Sequence, residues 1–263
     1  MIDYHCHILP NLDDGAKNIE ESLDIARILC DSGFTEAYCT PHLIKGCFDN
    51  NKDKIIRATN ELQTALLQNN IALTLHNGVE YYLDEFFSTY LKDPLVLGNS
   101  TYLLVEAPIQ ANMEFVKENI YAIVRSGYVP LIAHPERCAF LQQNVRSSAF
   151  KVQSSVHGFL GNILSLINAE RRTLNREPDV EQGTSSIEIL SSMGCKYQLN
   201  IGSFTGMHGA DARKGAIKLL QNNHCDKLGT DAHSPQNLKK RLARGLKVIE
   251  QEIGRDELKR LVN

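Results

Sequence analysis

Short apolar runs recur along the chain, and each is followed by a stretch whose apolar residues return every three or four positions. The runs predict seven β-strands, at Ile2–His7, Glu36–His42, Leu73–Glu80, Tyr102–Ala107, Val129–His134, Tyr197–Ile201 and Lys227–Asp231. The stretches between them have the period of amphipathic helices. Strands that alternate with helices indicate a parallel sheet with crossover connections. We therefore expect an α/β fold close to a (β/α) barrel, formed by residues 1–263 as a single domain.

The first helix is predicted by its boundaries as well as by its period. Asn18 is placed to cap it, Glu21 follows three residues later, and Gly33 ends it. Further helices are predicted at Asn51–Gln68, Met113–Ser126, Ser185–Ser192, Asp211–Asn222 and Asn237–Glu252.

The connection between the fifth and sixth predicted strands is much longer than the others. Within it lies a segment, 145–184, that contains a predicted helix at Phe159–Ala169 with a stripe of Leu160, Ile163, Leu164 and Ile167. A polar stretch follows the helix. The segment is interpreted as a helix packed outside the barrel followed by a solvated loop, with a lid or an oligomer contact as the alternatives.

Composition and charge limit the possible functions. The chain has 28 Lys and Arg residues against 31 Asp and Glu, a formal net charge of −3. Domains held to nucleic acid by bulk charge are strongly basic, so no nucleic-acid partner is expected. No run is apolar enough to enter a membrane, and the first residues do not resemble a signal peptide, which predicts a cytoplasmic protein. The 7 cysteines are scattered without a CxxC pair, which argues against a disulfide framework or a zinc ribbon.

Histidines and carboxylates occur at the ends of six of the seven predicted strands. His5 and His7 are two positions apart in a strand, so both imidazoles point the same way. In parallel barrels the active site forms where the carboxyl ends of the strands meet. The candidate metal ligands at these ends are His5, His7, Asp14, His42, Glu80, Glu106, His134, Asp231 and His233. Nine ligands suggest two or three divalent ions that share Glu80, and imidazole with carboxylate suits Mn²⁺, Fe or Zn²⁺.

The motifs that carry these residues resemble a known family. H-C-H-I-L-P-N-L-D-D-G-A, T-P-H, G-V-E, V-E, A-H-P-E-R, Q-L-N-I-G-S and T-D-A-H occur in order. They look like the polymerase-and-histidinol-phosphatase (PHP) superfamily, and within it like the bacterial manganese-dependent protein-tyrosine phosphatases of capsule and exopolysaccharide synthesis. The resemblance covers residues 1 to about 138 and 194 to the C-terminus. It implies a distorted seven-stranded TIM-like barrel with a trinuclear metal site.

The resemblance also implies a role for each residue. The first ion would be held by His5, His7, Glu80 and Asp231, the second by Glu80, Glu106 and His134, and the third by Asp14, His42 and His233. Asp14 is preferred to Asp13 because the superfamily's ligand directly precedes the glycine, here Gly15. Arg137 would bind the phosphate. His42 or His233 could donate a proton to the leaving phenol, whose pKa is ~10.

The implied reaction is hydrolysis of phosphotyrosine by a metal-activated hydroxide. The substrate would be a tyrosine-phosphorylated protein such as the tail of a bacterial tyrosine kinase. The family often has a second arginine after D-x-H, whereas this chain has Lys239, Lys240 and Arg241. Cysteine-based phosphatase chemistry is excluded, because none of the cysteines is followed six positions later by arginine.

Three alternatives stay open at the level of the sequence. The first is a small-molecule phosphatase of the same superfamily, such as one acting on histidinol phosphate. The second is a metal-dependent amidohydrolase, although those barrels usually have a lysine where this chain has Glu80. The third is a non-catalytic scaffold that binds a kinase tail and keeps its metals for stability.

Overall fold

The computed structural model describes residues 1–138 and 185–263. The strands in these residues are β1 (Ile2–Cys6), β2 (Glu36–Cys39), β3 (His42–Leu43), β4 (Thr74–Asn77), β5 (Glu80–Tyr82), β6 (Tyr102–Glu106), β7 (Val129–Ala133), β8 (Lys196–Asn200) and β9 (Lys227–Gly229). The helices are α1 (Ile19–Asp31), α2 (Lys52–Gln68), α3 (Phe87–Tyr90), α4 (Met113–Arg125), α5 (Ser186–Ser192), α6 (Ala210–Gln221), α7 (Leu238–Ile253) and α8 (Arg255–Leu261). Short 3-10 turns occupy Pro135–Arg137 and Ser203–Thr205.

The named strands pair in parallel and form a curled sheet in two parts. One part has the order β1-β2-β4, and the other has the order β3-β5-β6-β7-β8-β9. A single parallel bridge between Cys6 and Ala232 joins the end of β1 to the residues that follow β9. The α/β fold with a curled parallel sheet agrees with the sequence-based prediction.

The number of strands differs from the prediction because two predicted strands are each split. The run Glu36–His42 becomes β2 and β3, and the run Leu73–Glu80 becomes β4 and β5. The first break lies at Thr40 and Pro41, and proline has no N–H to offer a sheet ladder. The second lies at Gly78, where a Cβ would stand 2.7 Å from Leu97 Cδ2. At each break the chain passes from the smaller part of the sheet to the larger.

Helices cover the outside of the sheet with apolar faces. In α1 the buried face includes Ile25, Ala26 and Leu29, and burial of each large apolar side chain contributes about 1.5–3 kcal/mol. The predicted cap of this helix is present, because Asn18 Oδ1 accepts a hydrogen bond from the Glu21 amide at 2.9 Å. Gly33 follows the helix with φ +92°, as its predicted end requires.

The other predicted helices that fall on described residues are present, with ends shifted by at most one residue. The predicted helix Phe159–Ala169 and the whole of the segment 145–184 lie outside the described residues. None of the described helices combines the length and the apolar character that crossing a bilayer requires.

Candidate metal centre

His5 and His7 turn their rings toward one point at the carboxyl end of β1. Both side chains are buried, and their Nε2 atoms lie 3.0 Å apart. On the far side of each ring the Nδ1–H is held by an acceptor: Gln198 Oε1 at 2.7 Å for His5, and Asp13 Oδ2 at 2.6 Å for His7. Both Nδ1 atoms are thereby committed as donors, so each neutral ring presents an Nε2 lone pair to the centre.

Glu80 brings one carboxylate into the middle of four imidazoles. Its Oε2 atom lies 3.2 Å from His5 Nε2, 3.3 Å from His7 Nε2 and 3.0 Å from His42 Nδ1. Its Oε1 atom lies 3.0 Å from His134 Nε2. Glu80 is buried, yet neither its Oε2 nor His42 Nδ1 has a partner with hydrogen-bond geometry among the described residues. The predicted sharing of Glu80 is consistent with this central position.

Asp231 closes the centre from the opposite side. Its Oδ1 atom lies 3.5 Å from His5 Nε2, 3.3 Å from His7 Nε2 and 3.5 Å from His233 Nδ1. Asp231 and His134 have φ values of 49° and 32°. Residues other than glycine rarely adopt this left-handed conformation, and such strain is concentrated at functional sites. The backbone thus turns sharply at two strand ends and aims both side chains inward.

The two neighbouring aspartates have different positions. Asp14 Oδ1 lies 3.4 Å from His233 Nε2 and 3.7 Å from His42 Nε2, and its side chain is 57% exposed. Asp13 Oδ2 instead accepts from His7 Nδ1 and from the His42 amide, and its Oδ1 accepts from the Gly15 amide. Asp13 therefore orients the histidines, while Asp14 faces the open side of the cluster. This geometry favours Asp14 over Asp13 as a ligand.

Gly15 is required by the close approach of the chain to His7. A Cβ at this position would lie 2.2 Å from the His7 carbonyl oxygen and 2.6 Å from its Cβ. The D-D-G sequence thus serves packing as well as chemistry: the glycine lets both aspartates reach the histidines.

The nine predicted ligands converge in the structure. Each has a nitrogen or oxygen atom within 3.9 Å of another member of the set. Three overlapping groups have atoms close enough to hold an ion: His7, Asp14, His42 and His233; His5, His7 and Glu80; and His42, Glu80 and Glu106. The first group contains all three residues predicted for the third ion, and the second contains three of the four predicted for the first ion. The last group shares Glu80 and Glu106 with the set predicted for the second ion. The assignment to three ions stays a prediction.

The electrostatics of the cluster are those of cations and anions packed together. Burial alone would lower the pKa of His5, but the charges of Glu80 and Asp231 raise it to about 9. Burial would raise the pKa of Asp231, yet the His5 charge and the His7 hydrogen bond hold it well below its usual range. Burial also opposes the shift at Asp13, whose pKa falls to about 2 through the charge and hydrogen bond of His7. The surrounding carboxylates thus favour the protonated form of His5.

The donor set fits divalent ions. His5 Nε2 and His7 Nε2 lie 3.0 Å apart, and the Nδ1–H of each ring is already hydrogen-bonded on its far side. The two facing lone pairs repel unless a proton or a cation lies between them. The cluster combines imidazole with carboxylate, and no thiol takes part: Cys6 is buried and its Sγ atom lies 3.9 Å from the Ala232 carbonyl. This is the ligand chemistry of Mn²⁺, Fe and Zn²⁺ sites.

Arg137 stands at the rim of the cluster, at the end of the 3-10 turn that follows His134. Its Nη1 donates to Asp231 Oδ2 at 3.2 Å, and its side chain is 26% exposed. The adjacent Glu136 is buried, where its Oε1 accepts from the Asn200 amide at 3.0 Å and from Ser203 Oγ at 2.7 Å. Arg137 therefore pairs with Asp231 and not with Glu136.

The sequence analysis assigned no role to four supporting residues. Gln198 holds His5, Asp13 holds His7, and Asn200 Nδ2 donates to Asp231 Oδ2 at 2.8 Å. His208 Nε2 lies 3.2 Å from the same Asn200 Nδ2. Gln198 and Asn200 are two apart in β8, a spacing that matches the H-x-H pair, and both lie in the Q-L-N-I-G-S motif, so the sequence carried two signals for them.

The sequence profile of a family described as capsular polysaccharide synthesis, CpsB/CapC, matches residues 1–157 and 172–263. The tyrosine-protein phosphatase YwqE of Bacillus subtilis is 27% identical over 256 residues, which is 97% of this chain and 85% of that protein.

Solved structures show the same relationship. A chain from a crystallographic study of YwqE from Bacillus subtilis and CpsB from Streptococcus pneumoniae, described as unique metal-dependent tyrosine phosphatases, superimposes with a TM-score of 0.77. The two chains are 25% identical, over 99% of this chain and 91% of the other. A histidinol phosphate phosphatase from Lactococcus lactis, solved with zinc, covers 97% of this chain and 94% of its own with a TM-score of 0.54. At 14% identity that likeness concerns the fold alone.

Proposed function

This chain belongs to the CpsB/CapC family of capsular polysaccharide synthesis, and from that membership we propose that it is a metal-dependent protein-tyrosine phosphatase of capsule or exopolysaccharide synthesis. Its relatives with that activity span nearly the whole chain. The observation that carries the proposal is the buried convergence of His5, His7 and Glu80. Their inward atoms lie within 3.3 Å of one another and lack enough protons to satisfy them all in the neutral state.

The ligand assignment follows the family pattern. His5, His7, Glu80 and Asp231 would hold one ion; Glu80, Glu106 and His134 a second; and Asp14, His42 and His233 a third. Divalent ions, of which Mn²⁺ is proposed here, would neutralise phosphate oxygens and lower the pKa of a water toward neutrality.

Arg137 is proposed to bind the substrate phosphate. It stands beside Asp231 with part of its guanidinium open to solvent. A planar guanidinium can donate to two phosphate oxygens at once, which fixes the orientation of the ester as well as its position. We assign it substrate binding and not metal binding, since it offers only donors.

The departing tyrosine oxygen is proposed to take its proton from His42 or His233, whichever ring is not bound to an ion, or from a metal-bound water. His233 is 31% exposed and its ring stacks on His7 with centroids 3.9 Å apart. Its Nδ1 lies 3.0 Å from the Asp231 carbonyl oxygen, so Nε2 is the nitrogen directed toward Asp14 and the open side. A phenol has a pKa of ~10, so it leaves with less help from a proton donor than an alkyl alcohol needs.

Exposure along one side of the cluster supports a protein substrate. Asp14, His233 and Arg137 are 57%, 31% and 26% exposed, whereas His5 and Glu80 are fully buried. A phosphotyrosine on a protein segment needs an open approach, and we propose that the substrate is the phosphorylated tail of a tyrosine kinase.

We also propose that residues 1–263 form one domain in which 145–184 is an insertion. In this proposal β2 with β3, and β4 with β5, each count as one interrupted strand of a seven-stranded barrel. The family profile passes over residues 158–171, which lie within the proposed insertion.

The test is turnover by the full chain after its metals are removed and Mn²⁺ is returned. We expect hydrolysis of a phosphotyrosine peptide that depends on Mn²⁺ and exceeds hydrolysis of histidinol phosphate. Faster turnover of histidinol phosphate would favour the small-molecule alternative. Metal binding without turnover of either substrate would favour the scaffold alternative.

A further inference from the structure

The two oxygens of the Asp231 carboxylate have different surroundings. Oδ1 faces the histidines of the cluster. Oδ2 accepts two hydrogen bonds, one from Asn200 Nδ2 at 2.8 Å and one from Arg137 Nη1 at 3.2 Å. The amide of Asn200 and the guanidinium of Arg137 therefore share one acceptor.

Asn200 is held rigidly in this arrangement. Its side chain is buried, and its Oδ1 accepts from the Gly202 amide at 2.6 Å, which settles which end of the amide is the donor. The second hydrogen of Nδ2 points to His208 Nε2 at 3.2 Å. Burial and the Arg137 charge lower the pKa of His208 to about 4, so Nε2 stays an acceptor at neutral pH. Every side-chain polar group of Asn200 is thus committed.

Arg137 is held much less firmly. Among the described residues its one hydrogen bond goes to Asp231 and is longer than that of Asn200, and its side chain is partly exposed. A guanidinium that turns to place two of its N–H groups on phosphate oxygens would give up this hydrogen bond to Asp231. That movement would remove a donor from a buried carboxylate, and hydrogen bonds to buried charged groups are among the strong ones.

We propose that Asn200 is a positioning residue that keeps Asp231 Oδ2 satisfied when Arg137 leaves it for the substrate phosphate. The inference rests on the proposed function, because it needs Arg137 to be the phosphate-binding residue. Asn200 touches neither substrate nor ion in this scheme. It acts by making Arg137 available. Without the amide, Arg137 is the one donor to Oδ2 left among the described residues, and it stays bound to Asp231.

The experiment is a double-mutant cycle on binding of inorganic phosphate to the Mn²⁺-loaded full chain, measured by calorimetry. We expect Asn200→Ala and Arg137→Ala each to weaken phosphate binding by about 10- to 100-fold. Because both changes remove the same interaction, the double variant should bind no more weakly than Arg137→Ala alone. In each variant the KM for p-nitrophenyl phosphate should rise as phosphate affinity falls, while kcat changes less. Mn²⁺ per chain should stay at the wild-type value.

Ser203→Ala is the matched control. It removes a buried 2.7 Å hydrogen bond to Glu136 from the loop that follows Asn200, but it does not touch Asp231. Phosphate affinity should be unchanged. Asn200→Asp is the second variant if Asn200→Ala unfolds, because it keeps an acceptor for the Gly202 amide. The carboxylate introduced by Asn200→Asp should hold Arg137 at least as firmly as Asp231 does in Asn200→Ala. It should therefore weaken phosphate binding at least as much as Asn200→Ala does.

Multiplicative losses in the double variant, or loss of Mn²⁺ from Asn200→Ala, would overturn the inference and make Asn200 a structural support of the metal centre. Absence of phosphate binding by the wild type would overturn it too. Turnover of a phosphotyrosine peptide by the wild type is measured in parallel. If the wild type has no turnover but the phosphate cycle is non-additive, the proposed phosphatase activity fails and the positioning role stands.

Discussion

Histidine and carboxylate meet at two places in the sheet, with opposite outcomes. Near the amino ends of the strands, His76 Nε2 lies 2.7 Å from Glu36 Oε2. In the same region Lys227 Nζ donates to Tyr4 OH at 2.8 Å and lies 4.2 Å from the centre of that ring. Each of these polar groups has a partner of opposite or complementary character. This group of four residues is called the amino-end cluster below.

At the carboxyl ends of the strands the same residue types leave lone pairs facing each other and a carboxylate oxygen without a hydrogen-bond donor among the described residues. His5 Nε2 faces His7 Nε2, and Glu80 Oε2 is buried without a hydrogen-bond partner among the described residues. The difference shows that residue type alone does not make a metal site. What distinguishes the carboxyl-end cluster is that its acceptors outnumber its donors until cations are added.

The largest expected effect comes from removing the central carboxylate. Glu80→Ala should abolish phosphatase activity and lower Mn²⁺ content while the barrel stays folded, because one buried oxygen approaches His5, His7 and His42. Activity should fall by several orders of magnitude. Metal analysis together with turnover of p-nitrophenyl phosphate checks this. Near-full turnover by Glu80→Ala would contradict the proposal that Glu80 is shared between ions.

The next effect concerns pH and the metal-free protein. The pKa of His5 is about 9 in the folded chain, against ~6.5 for a free imidazole. Because His5 binds its proton more tightly in the folded chain, this protonation stabilises the fold. The stabilisation is fully present below pH ~6.5 and is lost as the pH rises through about 9. The chelator-treated protein should therefore lose on the order of 3 kcal/mol of unfolding free energy over this range.

The Mn²⁺-loaded protein should not show this loss, because the ions replace the imidazole protons and bind better as the pH rises. Denaturant unfolding of both forms at both ends of the range provides the test. Equal pH dependence of the two forms would contradict protonation of the cluster in the metal-free state.

A smaller effect is expected from the residue that orients His7. Asp13→Asn can keep one oxygen as acceptor for His7 Nδ1 and the His42 amide, but it removes the second oxygen, which accepts from the Gly15 amide, and the negative charge beside His7. Outer residues of this kind typically contribute about 10- to 100-fold in metal affinity. Mn²⁺ titration should show a loss in that range. Complete loss of one ion would instead make Asp13 a ligand and remove the preference for Asp14.

The smallest effect belongs to the amino-end cluster. Glu36→Gln removes one charge from a pair whose side chains are 31% and 39% exposed, and exposed pairs contribute ~0–1 kcal/mol. We expect a change of that size in unfolding free energy, with Mn²⁺ content and turnover at the wild-type value. A large loss of metal in this variant would show that the two clusters are coupled and would break the comparison.

Much of the fold and of the candidate site could be read from local pattern. The cap at Asn18, the stop at Gly33 and the shared face of His5 and His7 depend on neighbours a few residues away. The breaks that split two predicted strands were less visible, although Pro41 and Gly78 mark them. Apolar runs continue through both breaks, so hydrophobicity alone predicts one strand where the sheet has two.

The supporting hydrogen bonds needed the tertiary structure. Gln198 is 193 residues from the His5 that it holds, and Asn200 is 31 residues from Asp231. Which of two adjacent aspartates faces outward likewise depends on where His7, His42 and His233 arrive from other strands. Periodicity decides the side of a strand on which a residue lies, and residue type decides its chemistry. The partner of a residue depends on the curling of the sheet, which brings distant strand ends within hydrogen-bond distance.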